Sequence, residues 1–170
     1  TGSTAALATM AIMLALPSLT FGLFAGVIVD RADRKRVMIF SDILRAIFVL
    51  GFILVDGPQK IWMLYSIGFI QAAIATFFNP ARGALIPNIV PKEGLLSANS
   101  ISQTSRIIFG LLGTGFAGFI IGQFEQYWLI FILDAITFFI SMLLISRIKY
   151  TYQAGADKEP INIRHIFSEL

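Results

Sequence analysis

Few side chains in this 170-residue chain could do chemistry, and those that could do not assemble an enzyme. There is no cysteine and only one histidine, His165, so thiolate and histidine-rich zinc sites are excluded and no metal site is expected. No pair of carboxylates shares an apolar helix, so acid–base catalysis has no candidate residues. No glycine-rich loop ends in Gly-Lys-Ser or Gly-Lys-Thr, so this stretch has no ATP-binding motor and no cofactor is expected. What remains is polar chemistry placed inside apolar runs. Asp42 and Arg45 lie three residues apart, a spacing that lets them pair on one helix; a structural ion pair is the simpler reading and a transport site the sharper one. Asp134 has no cationic neighbour in sequence. It reads either as a functional carboxylate or as one reached by water from the outer face. Asn99, Gln103 and Arg106 fall at i, i+4 and i+7, one helical face, which must meet protein or a water-filled cavity unless it is the interfacial start of a helix.

The elements that position these residues follow from composition. Apolar residues make up 56% of the chain and charged residues 14%, with 16 Phe, too few charges to cover a soluble domain of this size. The missing solvent is lipid. Crossing ~30 Å of hydrocarbon takes about 20 apolar residues as a helix, and five runs qualify: about 5–29, 37–55, 61–80, 95–122 and 127–146. Alternation is absent, and the runs are about twice what a barrel strand needs. The fold class is an all-α membrane protein of five transmembrane helices. Asp30 to Arg36 reads as a charged turn, Asp56 to Gln59 as a Gly-Pro turn and Gln123 to Gln126 as a short polar turn. Pro87 and Pro91 argue that no straight helix passes through 81–94.

Five spans put the 31–36 loop, the 81–94 loop and the tail on one side. That side holds 12 of the 13 basic residues, leaving Lys60 on the other, so the loop and tail are expected in the cytoplasm and Thr1 outside. The basic loop is accounted for by membrane orientation, without nucleic acid. With an inside N-terminus, an earlier span would be needed ahead of Thr1, so the chain reads as part of a longer protein in the plasma membrane.

Small residues recur at close spacing, Ser18, Gly22 and Gly26 in the first run and Gly110, Thr114, Gly118 and Gly122 in the fourth, a pattern that suits close backbone packing. Gly113 shares that stretch and is expected to pack likewise. Ile163, Ile166, Phe167 and Leu170 share one face, so 160–170 is expected to form an amphipathic helix on the cytoplasmic surface.

The turn after the first run, Gly26-Val-Ile-Val-Asp30-Arg31-Ala-Asp33-Arg34-Lys35-Arg36, resembles the loop signature between helices two and three of the major facilitator superfamily. Gly26, Asp30, Arg31, Arg34 and Lys35 match, and Asp33 stands where the signature has a second Gly. This form, with Ser41-Asp42-Ile-Leu-Arg45, Asn79-Pro-Ala-Arg82 and Ala98-Asn99, is similar to the macrolide-efflux and siderophore-exporter branch. Gly113-Thr114-Gly-Phe-Ala-Gly118 resembles the family's antiporter motif, with Thr114 in place of Pro. If Gln71-Ala72 matches the usual Gln-Gly, Gly68 occupies the place of the fourth-helix Arg found in many proton-coupled members.

The resemblance implies that the five spans are helices two to six of a twelve-helix bundle. Residues 1–149 would then be the N-terminal half less its first helix, and 150–170 the start of the central cytoplasmic loop. It implies alternating access and export of small hydrophobic drugs or siderophores, with ion coupling and protons among the partners. The missing first helix, the C-terminal half and the lipid bilayer would be the other partners. Asp30 and Arg34 would lock one state against the opposite half, and Gln71, Asn99, Gln103 and Arg106 would be candidates to face the cavity. An importer of another small solute and a membrane scaffold without transport remain the alternatives.

Overall fold

The computed structural model describes residues 3–124 and 127–150. Within them the chain forms five long helices and no strand. These are α1 (Thr4–Arg31), α2 (Arg34–Leu50, prolonged by a 3-10 turn over Gly51–Leu54), α3 (Ile61–Ile89), α4 (Leu95–Phe124) and α5 (Trp128–Ser146). All five are long and apolar enough to cross a membrane. Their outward surfaces carry Leu, Ile and Phe side chains such as Leu23, Phe109 and Leu144, which in water would be an aggregation hazard and in lipid are ordinary solvent contacts.

Two sequence expectations change. The charged turn is far shorter than 30–36: α1 runs on through Arg31 and α2 begins at Arg34. Asp33 caps α2, its Oδ1 accepting from the backbone N–H groups of Lys35 (3.0 Å) and Arg36 (3.3 Å), so two orphan donors are satisfied at once. The segment after residue 80 is also helical, because α3 continues through Pro80 and Pro87 to Ile89. A proline removes one donor and crowds one carbonyl, a local cost that tertiary contacts can offset. Here Ala81 and Leu85 are buried in a cluster with Val29, Met38 and Ile145, and that packing holds the helix past its prolines. The expected amphipathic helix at 160–170 lies outside the described residues.

The helices pack in a row, with α1 on α3, α3 on α2, and α2 on α5; among the described residues α4 touches α3 lightly. At the α1–α3 contact Phe21 meets Phe69 edge to face at 6.5 Å. Gly68 lets Met10 in so closely that an added Cβ would stand 2.6 Å from its Cε.

The α2–α5 contact has a regular antiparallel register. Phe52 stacks on Phe131 at 5.0 Å, Arg45 lies over Phe138, Ser141 approaches Asp42, and Met38 shares a buried cluster with Ile145. Each step along one helix is matched by an equal step back along the other. The α2 positions Met38, Asp42, Arg45, Val49 and Phe52 advance by alternating fours and threes, the spacing of a coiled-coil seam. The same register sets Asp134 opposite Val49.

Candidate transport site

Two groups of polar residues are assembled on this frame, one at the basic end and one inside the seam.

At the basic end, consecutive residues of α2 reach two other helices. Arg34 Nη1 donates to the carbonyl of Ala84 on α3 at 3.1 Å. Lys35 Nζ donates to the carbonyls of Ser146 and Ile148, both at 2.8 Å, where α5 ends. A cation at a helix C-terminus meets both unpaired carbonyls and the negative end of the macrodipole. Arg36 pairs with Asp33 at 3.3 Å on the surface. The turn is thus fastened to the ends of α3 and α5, while Asp30 stands exposed beside it and Gly26 has open space around its Cα. Arg31 is exposed and engaged in a polar interaction.

Inside the seam, the ion pair expected between Asp42 and Arg45 is not formed. Arg45 turns instead to α3 and α5. Its Nε donates to Gln71 Oε1 at 3.3 Å, Gln71 Nε2 donates back to the Arg45 carbonyl at 2.9 Å, and the guanidinium lies 4.3 Å from the centre of the Phe138 ring. A guanidinium over an aromatic face is stabilised without needing a carboxylate. The charge of Arg45 is felt by both Asp42 and Asp134. Asp42 is buried, while Asp134 is exposed on α5 with Thr137 donating to its Oδ1 at 3.4 Å. Gln71, expected near a cavity, is therefore the partner of Arg45. Sequence reasoning missed this pair, along with Asp33 as a cap, although an Asp directly before a helical run is a legible start signal.

The remaining candidates are not brought together with these. Asn99, Gln103 and Arg106 all lie exposed on α4. Gly22, Gly110, Gly113 and Gly118 have nothing within 4 Å of an added Cβ, so among the described residues none makes a close helix contact; Gly68 does. Among the described residues no group of His, Asp or Glu could hold a metal ion. A shallow groove of about 400 Å³ opens between α1 and α3, lined by Met13, Trp62, Tyr65, Ser66, Phe69 and Ile70.

Residues 1–167 match the family model of the Major Facilitator Superfamily. The chain belongs to that superfamily. It is 38% identical over 136 residues to the uncharacterized MFS-type transporter YkuC of Bacillus subtilis (strain 168), covering 79% of this chain and 31% of that protein. It is 32% identical over 127 residues to macrolide efflux protein A of Streptococcus pyogenes, covering 74% of this chain and 31% of that protein. It is 30% identical over 135 residues to the putative bacilysin exporter BacE of Bacillus subtilis (strain 168), covering 79% and 33%. The chain thus spans about a third of the length of these curated relatives. No solved structure matches it. The superfamily is one of multi-pass membrane transporters, and the five apolar helices agree with that architecture.

Proposed function

We propose that this chain is the N-terminal half, less its first helix, of a plasma-membrane exporter that moves small hydrophobic compounds by alternating access, coupled to an ion. The observation that carries the reading is the likeness to two exporter-named relatives, one for macrolides and one for bacilysin, over about three quarters of the chain. The aromatic groove between α1 and α3 supports a hydrophobic substrate, because its walls are apolar apart from Tyr65 and Ser66. The fastening of Arg34 and Lys35 to α3 and α5 supports a rigid half that rocks as one body, with Asp30 exposed to meet an opposing half. The 31–36 stretch lies in the cytoplasm under this reading, as the basic-residue count directs. The helices after α5 and before α1 would cover α4 and its glycines.

The test is accumulation of a labelled macrolide in drug-sensitive bacteria expressing the full-length protein. Expression should lower accumulation, and Asp30→Asn should restore it while leaving substrate binding in detergent unchanged. Unchanged accumulation of macrolides and of small peptide antibiotics would remove the export reading. Raised accumulation would make the protein an importer. Cysteines at Ala32 and Gln59 test the topology: an impermeant thiol reagent applied outside should label only Gln59→Cys.

A further inference from the structure

The α2–α5 seam holds one group that the export reading leaves without a task. Asp42 is 1% exposed, and its Oδ2 is sealed away without a hydrogen-bond partner. The charged groups around it are few. Arg45 comes from its own helix, Asp134 of α5 lies nearer to Arg45 than to this carboxyl, and α3 contributes the neutral amide of Gln71 to this region. Arg45, the natural counter-ion, is held aside by Gln71 and Phe138. Ser141 is the neighbour that approaches the carboxyl from α5. An ionised carboxylate here would have lost its water without gaining an ion pair, and one hydroxyl does not offset that loss. A neutral carboxyl bears no such cost.

We propose that Asp42 is a proton-binding site, and that Arg45 moves between two berths to set its occupancy. In the state seen here the carboxyl holds the proton and the guanidinium rests on Gln71 and Phe138. When Arg45 swings to Asp42, the carboxyl gives its proton to water admitted to the seam and pairs with the guanidinium, which keeps all its own protons. Return of Arg45 to Gln71 leaves the carboxylate to take a proton up again. The two residues are three apart on one helix, so the swing needs no backbone movement. A metal cation suits the place poorly. One carboxyl and a serine hydroxyl fall short of the roughly six oxygens a hard cation gathers, and Arg45 would repel it.

The site rests on the transport reading only for the use made of the proton, and it is tested without transport. Infrared spectra of the full-length protein in lipid nanodiscs, taken across pH, should show a protonated-carboxyl band that is lost in Asp42→Asn and kept in Asp134→Asn. Gln71→Leu removes one berth and frees Arg45 for Asp42, so the proton should be held roughly tenfold less tightly and the band should vanish at lower pH. A band that survives whole in Asp42→Asn overturns the proposal. A titration unmoved by Gln71→Leu does the same, and it decides the matter if Asp42→Asn does not fold. Exchanging potassium for sodium should leave the titration in place; a sodium-dependent shift would make this a metal-cation site and overturn the proton. Efflux measured separately keeps the two readings apart, since loss of efflux with the band intact counts against export alone.

Discussion

α2 and α4 both carry polar side chains and an arginine into apolar surroundings, and their environments differ at every such position. On α2, Asp42 and Arg45 lie in a seam between neighbouring helices, with Gln71 and Phe138 receiving the guanidinium. On α4, Asn99, Gln103 and Arg106 point out from a helix that barely touches its neighbours, and its glycines face open space. The two stripes look alike as spacing on a helical wheel. What separates them is the presence of a second helix with complementary groups at the same depth. A polar stripe is a site only when something opposite it has a matching register.

The sharpest way to break this contrast is to remove each arginine. Arg45→Met leaves Gln71 Oε1 without its donor and Phe138 without its cation, a loss of about 3 kcal/mol, and should lower the thermal unfolding midpoint of the full-length protein in detergent. Arg106→Met should leave the midpoint close to wild type. Equal shifts would show that α4 is as tightly partnered as α2.

Next comes enlargement of glycine. Leu at Gly68 must turn the end of Met10 aside and crowd Leu14, which overpacking makes worth about 1–3 kcal/mol. Gly113→Leu should cost less folded yield, measured by size-exclusion fluorescence. A drop as large as at Gly68 would reveal an equally close neighbour on α4.

A smaller effect is expected at the cap. Asp33→Ala frees the amides of Lys35 and Arg36 at a cost of about 1 kcal/mol, and hydrogen exchange should quicken in the first turn of α2. Ser3→Ala, whose only cap bond is a 3.4 Å contact to Ala6, should change exchange in α1 less.

The smallest effect belongs to the exposed pair of Asp56 and Lys60, 2.9 Å apart at the turn before α3. The Lys60 ammonium, by hydrogen bond above all, holds the Asp56 carboxyl below its ordinary range. A lowered carboxylate contributes above its unfolded value and ceases to contribute as pH falls through the folded one. Both groups are solvated, so Asp56→Asn should leave the unfolding midpoint at neutral pH unchanged within error. A measurable shift would mean that this turn is shielded from water in the intact protein.

The helices were legible in the sequence because a membrane span is set by run length and composition alone, which needs no knowledge of neighbours. α3 exceeded its expected end at Pro80 because proline signals a local cost, while the contacts of Ala81 and Leu85 that offset it come from α1, α2 and α5. The basic turn was visible as a motif, but its partners were not. Lys35 bonds to carbonyls 111 and 113 residues away, and every residue carries a carbonyl, so no side-chain pattern marks those two. Arg45 was visible as an intramembrane charge and misassigned to Asp42, since sequence proximity says which pair is within reach and not which is preferred. Gln71 was noticed for its place in a motif and as a candidate to face the cavity. Its role with Arg45 depends on α3 lying beside α2, and the spacing of either helix is silent on that.

The α2–α5 register also limits how this molecule can vary in length. An α-helix turns about 100° per residue, so a single residue inserted between Asp42 and Phe52 would rotate everything beyond it away from α5. Phe52 would leave Phe131, and the charged layers would fall out of step with the aromatic ones. Insertions of seven residues would keep the seam in phase but overrun the bilayer by about 10 Å. Related chains should therefore hold the distance from Asp42 to Phe52 fixed and place their length changes at the turn around Asp56 to Lys60, where no such phase has to be kept.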